Sequence, residues 1–176
     1  MLKCTSCILK CESLSPSSPY FSRQIVDASA ALKKLRAEWS TYAVIDAEGR
    51  AGNIDAARKI LGGVAPQRGE AAIAVAKATP LYRIDGAFTA VRRALLDADS
   101  GSWADSVDVE SFVELGERIS FGLQKADNAF YGVVFASKGS SQLQKMYDEA
   151  RESVERSIVD FDDVLVMLRA AHAPGL

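Results

Sequence analysis

Residues Gln142 to His172 read QLQKMYDEARESVERSIVDFDDVLVMLRAAH, and their spacing decides the fold class. Leu143, Tyr147, Ala150, Val154, Ile158, Phe161, Leu165 and Leu168 recur at intervals of four, three, four, four, three, four and three. That is the period of one helix face. Lys145, Asp148, Glu149, Glu152, Glu155, Arg156, Asp162 and Asp163 occupy the other face. At 1.5 Å per residue the helix is about 45 Å long. A stripe of that length requires other helices to cover it.

The chain has 176 residues, the length of one domain, and 48% of them are hydrophobic, enough for a core. Alanine and leucine supply much of that fraction, and both favour helix. The 21 basic and 23 acidic residues leave a net charge of −2, which argues against nucleic acid as the main partner. No apolar run approaches the 18 residues or so that a membrane-spanning helix needs.

Working outward, three more stripes of the same kind precede the closing one. Ile25, Leu32, Leu35, Trp39, Tyr42 and Ile45 predict a first helix over Ser22 to Glu48, ended by Gly49 and Gly52. Lys33, Lys34, Arg36 and Glu38 face away from that stripe. Asn53 reads as the N-cap of a short helix from Ile54 to Leu61, stopped by Gly62 and Gly63. Glu70 to Ala78 reads as helical. Thr79 and Pro80 then read as N-cap and first turn of a second long helix to Ala98, with Leu81, Ile84, Phe88, Val91 and Leu95 inward and Arg83, Arg92 and Arg93 outward. Asp99 to Asp108 is a polar loop carrying Trp103, which is either a plug over the end of the helices or a contact anchor for a partner. Asp108 caps a third helix from Val109 to Phe130 or a little beyond, through Phe112, Leu115, Ile119, Leu123 and Ala126. Tyr131 to Phe135 either continues it or forms an extended turn. Ser141 reads as the cap of the closing helix. The expectation is an all-α, up-down four-helix bundle over residues 23–172, with a short extra helix after helix one.

Residues 1–22 differ in kind and are expected to form an extended leader or docking segment. Lys3 and Lys10 are its bases and Glu12 its one acid, and Ser15 to Pro19 disfavours helix. Basic, Ser-rich and acid-poor is the composition of a transit peptide. Cys4, Cys7 and Cys11 include a C-x-x-C, but no second pair completes a four-ligand zinc set. They read as exposed thiols, with a metal or redox role as the alternative. Ala28-Ser29-Ala30 has the small-x-small pattern of a cleavage site without an apolar run before it.

Reactive constellations are missing from the pattern. Gly62-Gly63 lacks the context of a phosphate loop. A single histidine, His172, falls at a helix end. Asp160, Asp162 and Asp163 fit neither an EF-hand nor a di-iron pattern and read as a solvated face, with weak divalent-cation binding as the alternative. No catalytic, cofactor or metal residue is nominated.

Three stretches together resemble a family. They are the glycine linker from Gly63 leading to Thr79-Pro80-Leu81-Tyr82, Ile84 and Ala87-Phe88; Phe112-Val113-Glu114-Leu115, Leu123, Ala126-Asp127, Phe130-Tyr131 and Phe135; and the closing helix with its Leu/Val/Phe face. Over roughly Leu32 to Leu168 the chain resembles the PsbQ-like extrinsic proteins of photosystem II in algae and plants. The resemblance implies a non-catalytic accessory subunit in the chloroplast thylakoid lumen, with no cofactor of its own. It would bind membrane-embedded photosystem core subunits and other extrinsic subunits near the oxygen-evolving centre, helping to retain calcium and chloride. Docking through the N-terminal segment makes Lys3, Lys10, Tyr20 and Arg23 candidate contacts, with Trp103 as a further anchor. The competing expectations are a lumenal linker of photosystem I or an antenna complex, and a helical adaptor or assembly factor.

Overall fold

The computed structural model describes residues 19–63, 74, 77–97, 102–137, 139 and 141–176. Apolar periodicity becomes helix along most of them. Six helices can be bounded among the described residues: α1 (Pro19–Ala37), α2 (Trp39–Tyr42), α3 (Ile54–Ile60), α4 (Ile84–Leu96), α5 (Val109–Val133) and α6 (Ser141–Ala170). A 3-10 turn at Ala104–Ser106 precedes α5. The only sheet among the described residues is a two-stranded antiparallel hairpin, β1 (Val44–Ile45) with β2 (Ala51–Gly52), in which Val44 faces Gly52 and Ile45 faces Ala51.

The closing stripe is core. Leu143, Tyr147, Ala150, Val154, Phe161, Leu165 and Leu168 are buried, and Ile158 is half-buried against them. The buried face of α6 is wider than its apolar period, because Ser153, Ser157, Asp160 and Val164 also turn inward. Two neighbours explain the width: α5 packs along one flank and α1 along the other. The α5–α6 pair is antiparallel. Phe130 meets Tyr147 at 6.0 Å between ring centroids, Gly122 lies over Ser157, and Arg118 pairs with Asp160. Residue numbers fall along α6 as they rise along α5. Helix α1 ties to α6 through Lys33–Asp162 and Arg36–Glu155, both at 2.5 Å. Helix α4 brings Phe88 to 5.8 Å from Phe112 on α5 and 6.1 Å from Phe161 on α6. Gly116 makes that approach feasible, since a Cβ there would lie 3.1 Å from the Phe88 ring.

Helix one is shorter than its periodicity predicts. It starts at Pro19, so Pro19 to Ser22 belong to the helix and not to an extended segment. It stops at Ala37, and the stretch to Glu48 is not continuous helix. Local hydrogen bonds take over here. The Asp46 carboxylate accepts from the backbone N–H of Glu48 and of Arg50, at 3.0 and 2.8 Å. Gly49 adopts φ +71°, the left-handed region that glycine enters without a Cβ penalty. The β-branched pair Val44-Ile45 enters the hairpin, and Ile45 is exposed instead of facing the core.

Cap residues show the same mixture. Asp108 caps α5 as expected, its carboxylate accepting from the N–H groups of Glu110 and Ser111. Helix α5 carries on past Phe130 to Val133, and Val134 and Phe135 turn away from it. Asn53 precedes α3 but sits at φ +56° and does not cap it; its amide donates to the Thr41 carbonyl at 2.7 Å. Thr79 does not cap the second long helix either. Its hydroxyl donates to the Ile60 carbonyl at 2.8 Å, and α4 begins only at Ile84, after Arg83 in the left-handed region. Ser141 is already inside α6. The expected helix over Glu70 to Ala78 lies mostly outside the described residues; of the three described, Ala74 and Lys77 are helical and Ala78 is in a turn. Beyond α6 the chain folds back, and Gly175, at φ +88°, rests on Pro19; a Cβ there would stand 2.5 Å from the Pro19 carbonyl oxygen.

Candidate partner-docking surface

Two of the nominated contacts, Tyr20 and Arg23, come together on the first turns of α1. They line a groove of about 590 Å³ with Gln24, Tyr82 and Arg83. The partner wall reaches them because Gln24 donates its side-chain amide to the Pro80 and Tyr82 carbonyls at 3.1 and 3.4 Å. Those bonds span more than fifty residues of sequence. Arg23 pairs with Asp27 at 3.2 Å on the exposed face of α1. The Arg83 guanidinium lies 5.6 Å from the Tyr82 ring centroid, and Tyr20 meets Phe21 edge-on at 5.4 Å. Two exposed arginines beside two tyrosines form a rim of the kind that protein partners engage.

Trp103 does not line this groove. It sits just ahead of the 3-10 turn, half-buried against the core, and its indole N–H is buried without a hydrogen-bond partner. Its ring plugs the core at this point. Lys3 and Lys10 lie outside the described residues, as do Cys4, Cys7 and Cys11.

The three aspartates of the closing helix part company. Asp160 is buried and paired with Arg118 of α5, so the solvated-face reading is corrected for this residue. Asp162 pairs with Lys33, and Asp163 is exposed. No group of three or more His, Cys, Asp or Glu among the described residues is placed to hold a metal ion. His172 is exposed in the left-handed region just beyond α6.

Sequence reading missed the best-formed polar cluster, which joins α3 to α5. Arg58 donates Nε to Asp127 Oδ1 at 2.8 Å and Nη2 to Oδ2 at 3.1 Å. Only 10% of the Arg58 side chain and 22% of the Asp127 side chain remain exposed. The guanidinium also covers the Tyr131 ring at 4.7 Å. Bidentate pairing with Asp127 raises the Arg58 pKa above its ordinary value. A Cβ at Gly63 would collide with the Asp127 carboxylate, so glycine leaves room for the pair. Nothing in the spacing of IDAARKI marks Arg58 as inward-facing; only the position of α5 does.

No protein-family model matches the chain, and searches of curated proteins and of solved structures give no match. No helix among the described residues is long and apolar enough to cross a membrane.

Proposed function

We propose that the chain is a non-catalytic accessory subunit that binds and stabilises photosystem II on its lumenal side, near the oxygen-evolving centre. The observation that carries the docking part of this reading is the Tyr20–Arg23 groove. It lies where the N-terminal residues join α1, and it presents aromatic and cationic side chains together. The photosystem and the thylakoid lumen come from the family resemblance alone. As part of the same proposal, α1, α4, α5 and α6 constitute an up-down four-helix bundle. Supporting this, α1 packs on α4 and α6, and α5 packs on α4 and α6. Docking of this kind rests on surface charge and weakens as salt screens it.

The test is mass spectrometry of thylakoid complexes separated on a native gradient. Stoichiometric co-migration with photosystem II, lost on washing at high ionic strength, is the expected result. Co-migration with photosystem I or an antenna complex would reassign the partner. Absence from all of them would remove the photosystem reading and leave a helical adaptor.

A further inference from the structure

The groove between the start of α1 and the chain from Lys77 to Arg83 carries more positive charge than the fold neutralises. Its lining holds three cations, Arg23, Lys77 and Arg83, and one carboxylate, Asp27. Asp27 is engaged by Arg23, four residues before it on α1. Lys77 and Arg83 are exposed and have no ion pair among the described residues. The surplus is local, since the chain as a whole carries a net charge of −2. The groove on the α5 side of α4, of about 310 Å³, has the opposite balance, with Arg92 against Asp85 and Glu117.

The cations stand in a frame that is already built. Gln24 ties α1 to the Pro80 and Tyr82 carbonyls, and the Thr79 hydroxyl ties the same wall to the Ile60 carbonyl. Arg83 is set in the left-handed region at φ +51°, and its carbonyl accepts from the Gly86 N–H at 2.9 Å. A site that needs no ordering on association loses less of its binding energy to entropy. Gly86 leaves part of the wall as bare backbone, where a Cβ would meet nothing within 4 Å.

We infer that this groove takes an acidic segment of the partner protein, with carboxylates on Lys77 and Arg83. The inference rests on reading this groove as the docking site, and names what enters it. The Arg83 guanidinium offers a planar fork that matches a carboxylate, and the Tyr20 and Tyr82 rings offer apolar area beside it. A neutral or basic segment in the same place would leave both cations desolvated without a partner, which selects against it. A nucleic-acid strand would need a basic stripe running well beyond one groove.

The experiment uses the full chain and a fluorescently labelled peptide in which pairs of glutamates alternate with leucine and glycine. The same peptide with lysine for glutamate is the control. Fluorescence anisotropy should show binding of the acidic peptide, weakened by salt, and none of the basic one. Lys77→Gln with Arg83→Asn should weaken binding by about tenfold or more; asparagine is chosen because it tolerates the left-handed backbone. Arg92→Gln with Arg93→Gln removes as much charge from α4 outside this groove and should change binding by less than about twofold. Gly86→Leu should fill the groove and abolish binding without lowering Tm, because leucine favours helix over glycine. Circular dichroism checks each variant, and Lys77→Gln alone, on an exposed side chain, keeps the test decisive if another variant loses helicity. No binding of the acidic peptide, equal binding of both peptides, an equal loss in the Arg92 and Arg93 control, or binding indifferent to Gly86→Leu overturns the inference. The two readings fail separately. Absence from photosystem complexes leaves peptide binding intact, whereas co-migration that Gly86→Leu abolishes, without affinity for the acidic peptide, keeps the docking site and overturns its acidic occupant.

Discussion

Replacing Asp127 by alanine should be among the most damaging single polar substitutions in the described chain. The change removes both acceptors of the Arg58 guanidinium and leaves a cation whose side chain is 10% exposed. Stranding one member of a fully buried pair costs about 3–5 kcal/mol. Asp127 keeps 22% exposure, so water reaches part of the vacated space and the expected cost falls to about 2–4 kcal/mol. The Tyr131 ring under the guanidinium offsets a little of it. For a chain of this length that corresponds to a fall in Tm of roughly 5–15 °C. Thermal melts followed by far-UV circular dichroism, with urea titration for the free energy, measure it. Arg58→Met combined with Asp127→Leu should cost much less than the two single changes added together, because it leaves neither charge stranded. A loss under about 0.5 kcal/mol for Asp127→Ala, or strict additivity in the cycle, would refute the reasoning. The pair would then be a surface contact, and α3 would be held to α5 by packing alone.

Two further outcomes are expected. Phe161→Ala empties a fully buried site beside Phe88 and should cost about 3–5 kcal/mol by urea denaturation; Val166→Ala, exposed on the same helix, should stay within about 0.5 kcal/mol. Acid should destabilise the fold through carboxylates whose pKa values are held down, Asp46, Asp108 and Glu155. That of Asp108 is lowered from 3.8, first by the Ser111 hydroxyl, and that of Glu155 from 4.5, first by Arg36. A depressed folded-state pKa gives stability that is present above the unfolded value and lost as pH falls through the folded value. Urea midpoints should therefore be flat at about pH 6 and drop below about pH 4, and Asp108→Ala should remove part of that drop while also losing the helix cap. A midpoint that rises into acid would contradict the assignment.

Helices α5 and α6 were legible in the sequence because one physical signal dominates them. Their inward residues repeat at three and four, and Asp108 offers the capping carboxylate at the right place. Helix one misleads because two signals compete. Trp39, Tyr42 and Ile45 keep the helical period past Ala37, while Asp46, Gly49 and Arg50 supply the hydrogen bonds of a tight hairpin. Periodicity registers the first and not the second. Thr79 shows the same limit, since a hydroxyl suited to capping found the Ile60 carbonyl instead. The groove proposed for docking was half-legible. Tyr20 and Arg23 were nominated as contacts of an N-terminal segment expected to be extended, whereas both stand on the first turns of α1, and Tyr82 and Arg83 join them only through the reach of Gln24 across the fold. Asp160 looked solvated because no local spacing announces that Arg118 stands opposite.

The contact between Gly175 and Pro19 has a practical bearing on how this protein is handled. The C-terminal residues finish beside the start of α1, one residue from Tyr20 and its groove. A purification tag or fluorescent protein fused after Leu176 therefore emerges next to the proposed docking site. A reporter placed in the β1–β2 hairpin, whose turn residues Ala47 and Glu48 are exposed, lies outside that groove and leaves it free to be occupied.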